Sequence, residues 1–325
     1  ELCGYSQPTF YETVDRAQCS PLGKSHGNSS IDYYALGMVI FFLISGRDFH
    51  NSDPQEIIKQ KLFQGSFHFL NAAFLLSGQI ADVIRGLVAD QVNLRWGATE
   101  VDGLLQGRSY SISDLTDLTY FSRAIIFNGK EHYSKTSLAY DLSLNWDAAK
   151  EYIKQDKIKK WLENSTSEEK YVEAIELFGG STSMKSLSQK LISIEDERLI
   201  KFLIILDPDG PVRYKNLVFY KDGIGPILAH SIGYSHSETT QIIAAMIYLN
   251  VFSIYEVLAQ IYSKPDLNHT MITINRCSDF LKKSEYGFGI ERCLYDLNPT
   301  LACQSNLVSN QFCIGLKDVL EFLNN

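Results

Sequence analysis

The sequence predicts a mainly α protein, with two successive helical regions and one or two short hairpins. Three observations carry that expectation. Apolar residues recur at helical spacing through most of the chain, whereas strand-like runs are confined to two short stretches. A polar run rich in Ser and Thr, GRSYSISDLTDLTYFS at 107–122, separates the two regions. The length of 325 residues suits two ordinary domains. The expected division is 1–108, a linker with a short hairpin at 109–135, and an α-rich region at 136–325.

Residues 1–27 carry SQP and SPLGKSHG and few periodic apolar positions, so they read as an extended loop. Asp32 then stands before a strongly apolar run and offers its side-chain oxygen to the free amides of a helix start. Leu36, Ile40, Leu43 and Ile44 follow at helical spacing. Met38, Val39, Phe41 and Phe42 fill the other sides, which predicts a helix surrounded by protein. Gly46 ends it. The run from Tyr33 to Ile44 falls short of the roughly 18 to 20 residues that a bilayer span needs.

Further helices are expected over 53–65, 68–76 and 78–89, with another starting near Thr99. AIIFNGKEH suits a hairpin turning at Asn128-Gly129. Residues 136–206 look helical again, with Trp146, Tyr152, Trp161 and Leu162 on apolar faces. Trp146 and Trp161 with Leu142, Leu144 and Leu162 read as a helix-pair core, with a partner groove as the sharper alternative. Residues 207–225 read as turn, strand-like run and turn, and 238–262 as one or two well-buried helices.

Hydrophobic residues make up 45% and charged residues 21%, the balance of a globular chain rather than a disordered one. The net charge of -8 argues against nucleic acid as a partner. The lysine cluster KQDKIKKW at 154–161 has the spacing of a solvated helix face. No basic segment leading into an apolar one marks a signal peptide at Glu1, and a soluble, cytoplasmic chain with no membrane partner is expected.

The six cysteines at 3, 19, 277, 293, 303 and 313 form no C-x-x-C pair, and His269 is not at zinc-ligand spacing. Reduced, mostly buried thiols and no metal site are expected. DPDG at 207–210 lacks the remaining ligands of a calcium loop and reads as a turn. YGFGIE has no G-x-G-x-x-G frame. Ser30, His26 and Asp32 have no G-x-S-x-G frame, and the lone His50 and His68 are expected to be structural.

One group of residues points further. Asp32-Tyr33-Tyr34-Ala35-Leu36-Gly37 followed by VIFFLISG resembles the central helix in the C-terminal lobe of eukaryotic-like serine/threonine protein kinases. RGLVADQVNLRWGATEVDGLLQG at 85–107 is similar to the later helix, turn and Arg-Trp of that lobe, with Arg95 and Trp96 in register. Gln91-Val92 stands where the family has Asp-Pro. YETVDRA at 11–17 looks like the end of the activation segment, with Tyr11 matching and Val14-Asp15 in place of Pro-Glu. SRAIIFNGKEHY, LDPDGPVRYKNLVFYKDGIG and YGFGIERCLYDLNPTLACQS resemble the tail of a bacterial, mainly alphaproteobacterial, kinase-like group.

The resemblance implies a partial kinase-like lobe, from the activation segment onward, followed by a regulatory or docking domain. It implies structural roles for Tyr11, Asp15, Asp32, Arg95 and Trp96, with Asp32 accepting amides of the catalytic loop and Asp15 paired with Arg95. Breaking such a buried pair singly costs about 3 to 5 kcal/mol.

Phosphoryl transfer needs a phosphate-covering loop, a strand Lys, a catalytic Asp and metal ligands. V-A-I-K, H-R-D-x-x-x-x-N and D-F-G do not occur here, and the resemblance places them before Glu1. No catalytic or cofactor-binding residue is therefore expected in this chain. ATP and Mg are expected for an intact parent acting on a protein substrate. The alternative is a pseudokinase or scaffold that binds protein partners without catalysis.

Overall fold

The computed structural model describes residues 7–24, 26–47, 49, 52–108, 110, 121–164, 191–263, 270–308 and 311–323. Cys3, His50, His269, most of the polar run at 107–122 and the helical expectation over 165–190 lie outside the described residues. Among those described, the protein is mainly α, with two separate two-stranded antiparallel sheets.

The chain forms two compact units: Glu1–Thr182 with Glu195–Lys221, and Ser183–Ile194 with Asp222–Asn325. This division differs from the sequence reading. The first unit runs through the expected boundary at 108/109, and the expected domain at 136–325 contributes to both units.

In the first unit the opening segment is not an extended loop throughout. It holds a 3-10 turn at Thr9–Tyr11, helix α1 (Val14–Gln18) and a second 3-10 turn at Pro21–Gly23. Helix α2 (Ser29–Ser45) starts one turn earlier than expected. Asn28 is its N-cap, and its side chain accepts from the Ile31 amide at 3.1 Å. Asp32 is instead an exposed acid in the first turn, where it meets only the positive end of the helix dipole. Gly46 closes the helix in the left-handed region, as the sequence predicts.

The surroundings of α2 correct a second expectation. Tyr34, Gly37, Met38 and Phe41 are buried, but Leu43 is 73% exposed, and Leu36, Val39 and Ile44 are exposed as well. Apolar composition on every side made the helix look enclosed, yet only one face is covered. On that face Gly37 allows a close approach, since a Cβ there would stand 2.7 Å from Val88 Cγ1.

Helices α3 (Pro54–Gln64), α4 (Ser66–Ala73), α5 (Gly78–Leu87) and α6 (Ala98–Leu105) follow near the expected places. Asp53 caps α3 with Pro54 at its first position, and Glu100 of α6 reaches back to the Gly97 amide at 2.9 Å. α2 and α5 pack together over a core that includes Phe10, Met38, Phe41, Leu70, Ile84 and Val88. Burial of each such side chain is worth about 1.5 to 3 kcal/mol. Phe10 also stacks on Phe49 at 4.5 Å.

Strands β1 (Ile125–Phe127) and β2 (Lys130–His132) form the expected hairpin. Asn128 and Gly129 both take positive φ, the type I′ requirement. Helices α7 (Lys135–Leu144), α8 (Trp146–Ile153), α9 (Lys157–Glu163) and α10 (Ile194–Leu206) complete the helical part. The Trp146 indole is satisfied by Asp196 at 2.7 Å. Strands β3 (Val212–Tyr214) and β4 (Leu217–Phe219) form a second hairpin within the run read as strand-like.

The second unit carries α11 (Ile224–Gly233), α12 (Ser237–Tyr248), α13 (Ile254–Tyr262), α14 (Met271–Leu281), α15 (Ile290–Leu297) and α16 (Leu316–Leu323). Asn250, at φ 54°, turns the chain between α12 and α13, so the expected 238–262 region is two helices. Asn298 ties α15 to α11 by donating to Gly225 O at 3.0 Å. Among the described residues no single helix is long and apolar enough to cross a membrane.

Candidate functional site

The sequence-predicted residues Tyr11, Asp15, Arg95 and Trp96 all lie in the first unit around the segment at 8–24, and a polar network fixes that segment. Arg95 follows α5 and directs its guanidinium at backbone. Nε donates to Ala89 O at 2.8 Å, Nη2 to Asp90 O at 3.2 Å, and Nη1 to Ser30 O and Ser30 Oγ at 3.3 and 3.1 Å. The same guanidinium lies 5.2 Å from the Tyr34 ring centre. Arg95 therefore joins the first turn of α2 to the turn that follows α5.

The expected Asp15–Arg95 ion pair is not formed. Asp15 sits partly buried on α1, and its surroundings hold its carboxyl up at about 7. Burial is the largest cause, followed by the Asp207 carboxylate. Arg213 and, more weakly, Arg95 oppose the rise. Asp32, expected to act at the same helix start, has no side-chain partner among the described residues. Asn28 does the capping because Ser29 and Ser30 already belong to the helix.

Trp96 packs against α5. Its amide donates to Gly86 O at 2.9 Å, and its ring lies flat against Gly86, where a Cβ would come within 2.3 Å. Only glycine fits there. Tyr11 packs edge-on against Phe10, with ring centres 5.1 Å apart, at the margin of the core.

Several residues that sequence reasoning missed do the clamping. Lys61 of α3 is 1% exposed, and its ammonium donates to Phe10 O and Glu12 O at 2.7 and 3.0 Å. Burial pulls its pKa down to about 7, against the pull of Asp90 and Glu12. Glu12 and Lys24 form a buried ion pair at 2.7 and 2.8 Å, and Arg16 Nη1 donates to Lys24 O. Asp90 accepts from the Ser66 amide and hydroxyl at 2.8 and 2.5 Å, and Ser66 Oγ meets Tyr34 OH at 2.8 Å.

The β3–β4 hairpin closes the other side. The Ser20 amide donates to Val218 O at 3.0 Å and the Tyr220 amide to Gly23 O at 2.9 Å, so residues 20–23 run beside β4. Arg213, 1% exposed, donates from Nη2 to Asp207 Oδ2 at 2.7 Å and to Gln18 Oε1 at 2.9 Å. Its presence inside the apolar run PVRYKNLVF is the one sequence signal of this contact, because a cation in a buried strand requires a partner.

A second polar row links the first hairpin to α7. His132 Nε2 stands 3.3 Å from Asp141 Oδ2, and His132 Nδ1 3.4 Å from Ser137 Oγ. Burial favours the neutral Asp141, but contacts from His132 and Lys130 hold its pKa below the ordinary value. All three members of the row are buried, and Ser137 Oγ also donates to Ser134 O at 3.0 Å. The row anchors the hairpin to the α7 N-terminus and presents no open nucleophile.

Comparison of the chain with known protein families, with curated proteins and with solved structures finds no match.

Proposed function

We propose that the chain is the substrate-side part of a serine/threonine protein kinase-like protein, followed by a regulatory or docking region. The segment at 8–24 would be the end of the activation segment, and α2 the central helix of the lobe. The observation that carries this reading is Arg95, which joins the start of α2 to the turn after α5, with Trp96 seated against Gly86 beside it. The exposed apolar face of α2, with Leu36, Val39, Leu43 and Ile44, is where the rest of such a lobe would pack.

ATP and Mg belong, in this reading, to the remainder of the parent. The acids of the clamp are engaged internally: Glu12 with Lys24, Asp90 with Ser66, and Asp207 with Arg213. Among the described residues no group of three or more His, Cys, Asp or Glu could hold a metal ion. The chain's own share is to position the segment at 8–24 against α2, and no step of phosphoryl transfer is assigned to it.

The second reading, a pseudokinase or protein-binding scaffold, is favoured by one observation: the carboxylate–guanidinium pair implied for the activation segment is not made by Asp15 and Arg95. The upstream coding sequence tests the enzyme claim, which requires a strand Lys, H-R-D and D-F-G in that order. Their absence removes it. If they are present, a thermal shift of the intact parent with ATP-Mg supports the enzyme, and no shift supports the scaffold.

A further inference from the structure

Four of the six cysteines fall at 277, 293, 303 and 313, and all five described cysteines are free thiols. Cys277 and Cys293 are fully buried in α14 and α15, with Cys293 Sγ 3.4 Å from Cys277 O. Cys303 and Cys313 lie outside helices and are joined through the backbone, the Cys303 amide donating to Cys313 O at 2.7 Å. A single amide–carbonyl bond of this length holds the two Cα atoms at most about 6.6 Å apart by standard backbone dimensions. That is inside the upper limit of roughly 6.8 Å that a disulfide accepts.

The two thiols are unequal. Cys303 is partly exposed, whereas Cys313 is buried. Burial, then the Asp318 carboxylate and Cys303, push the Cys313 thiol up. Asp318 is held in place by the Ile314 and Gly315 amides at 3.0 and 2.9 Å, immediately before α16.

We propose that Cys303 and Cys313 form a thiol–disulfide site that closes by exchange with a small disulfide of the glutathione type. The Cys303 thiolate attacks one sulfur of the small disulfide, whose S–S bond breaks and releases one thiolate. The Cys313 thiolate then attacks the Cys303 sulfur of the mixed disulfide and expels the second thiolate. The two cysteine protons end on the two departing thiols. The pair loses two electrons, and the small disulfide gains them. Exposure sets the order, with Cys303 attacking and Cys313 resolving, and the raised pKa of Cys313 makes resolution the slower step. Closure would fix the chain directly ahead of α16 and would be reversed by excess thiol.

The test equilibrates the full chain with oxidised glutathione, blocks free thiols, digests without reductant and maps the peptides by mass. The expected product is a 303–313 cross-linked peptide, two hydrogens lighter than the dithiol, in more than tenfold excess over any 277–293 cross-link. Cys313→Ser should instead accumulate glutathione on Cys303. Cys303→Ser should leave Cys313 unmodified, with helix content by circular dichroism unchanged in both variants. A wild-type chain that keeps both thiols free, or that holds glutathione on Cys303 as stably as Cys313→Ser does, overturns the proposal.

Discussion

Two arginines of the first unit satisfy a guanidinium in different ways. Arg95 gives its guanidinium to carbonyls and one hydroxyl and leaves Asp15 unpaired. Arg213 is buried in a strand and takes a carboxylate, Asp207, and an amide, Gln18. A cation on backbone dipoles tolerates some loss, because water or a neighbouring donor can satisfy a carbonyl. A buried ion pair does not, because removing one partner strands the other charge. The β3–β4 hairpin, rather than Arg95, should therefore carry the larger share of the clamp's stability.

The sharpest break of that comparison is Arg213→Met. It leaves Asp207 without its cation and should destabilise the chain by about 3 to 5 kcal/mol in urea unfolding at neutral pH. Arg95→Ala removes charge-assisted bonds to carbonyls and should cost about 1.5 to 3 kcal/mol. A larger loss at Arg95 than at Arg213 would reverse the ranking.

Asp15 and Lys61 sharpen it through pH. Asp15 is raised in the folded state from 3.8 to about 7, so the folded chain holds more protons than the unfolded one between those values. Its contribution is present below about 4 and is lost as pH rises through 7. Asp15→Asn should remove that decline and cost little, whereas an Asp15–Arg95 pair would make it as damaging as Arg95→Ala. Lys61 is lowered from 10.5 to about 7, so its contribution grows as pH rises from 7 towards 10.5. Lys61→Met should flatten that rise, read from unfolding midpoints at pH 7 and pH 9.5.

The smallest effects are expected at the α2 start. Asn28→Ala should cost about 1 kcal/mol through the lost cap, and Asp32→Ala within about 0.5 kcal/mol. Equal losses would place Asp32 at the cap after all.

Local features were the legible part of the fold. Asn128-Gly129 specified its turn and Gly46 its helix end, because backbone conformation is set over a few residues. Asp32 misled because Asn28, four residues earlier, is an equally good cap, and only the structure shows that Ser29 and Ser30 are helical. The half-open face of α2 was illegible because apolar residues occupy both its covered and its exposed sides. Lys61 reads as an ordinary polar position on an amphipathic helix, and its carbonyl partners lie about fifty residues away. The docking of β4 on residues 20–23 joins positions nearly two hundred apart, a separation no local pattern encodes. The partners that Tyr11, Arg95 and Trp96 meet in the fold were not readable in the sequence.

The most direct measurement is phosphate transfer from ATP-Mg to protein Ser or Thr by the intact parent, compared between wild type and Arg213→Lys at matched folded fraction. The account predicts transfer by the wild type and, with nucleotide affinity unchanged, at least a tenfold loss of kcat/KM for the protein substrate in the variant, because the segment at 8–24 loses its Arg213–Gln18 anchor. Absence of any transfer, or a variant with an undiminished kcat/KM, would contradict it.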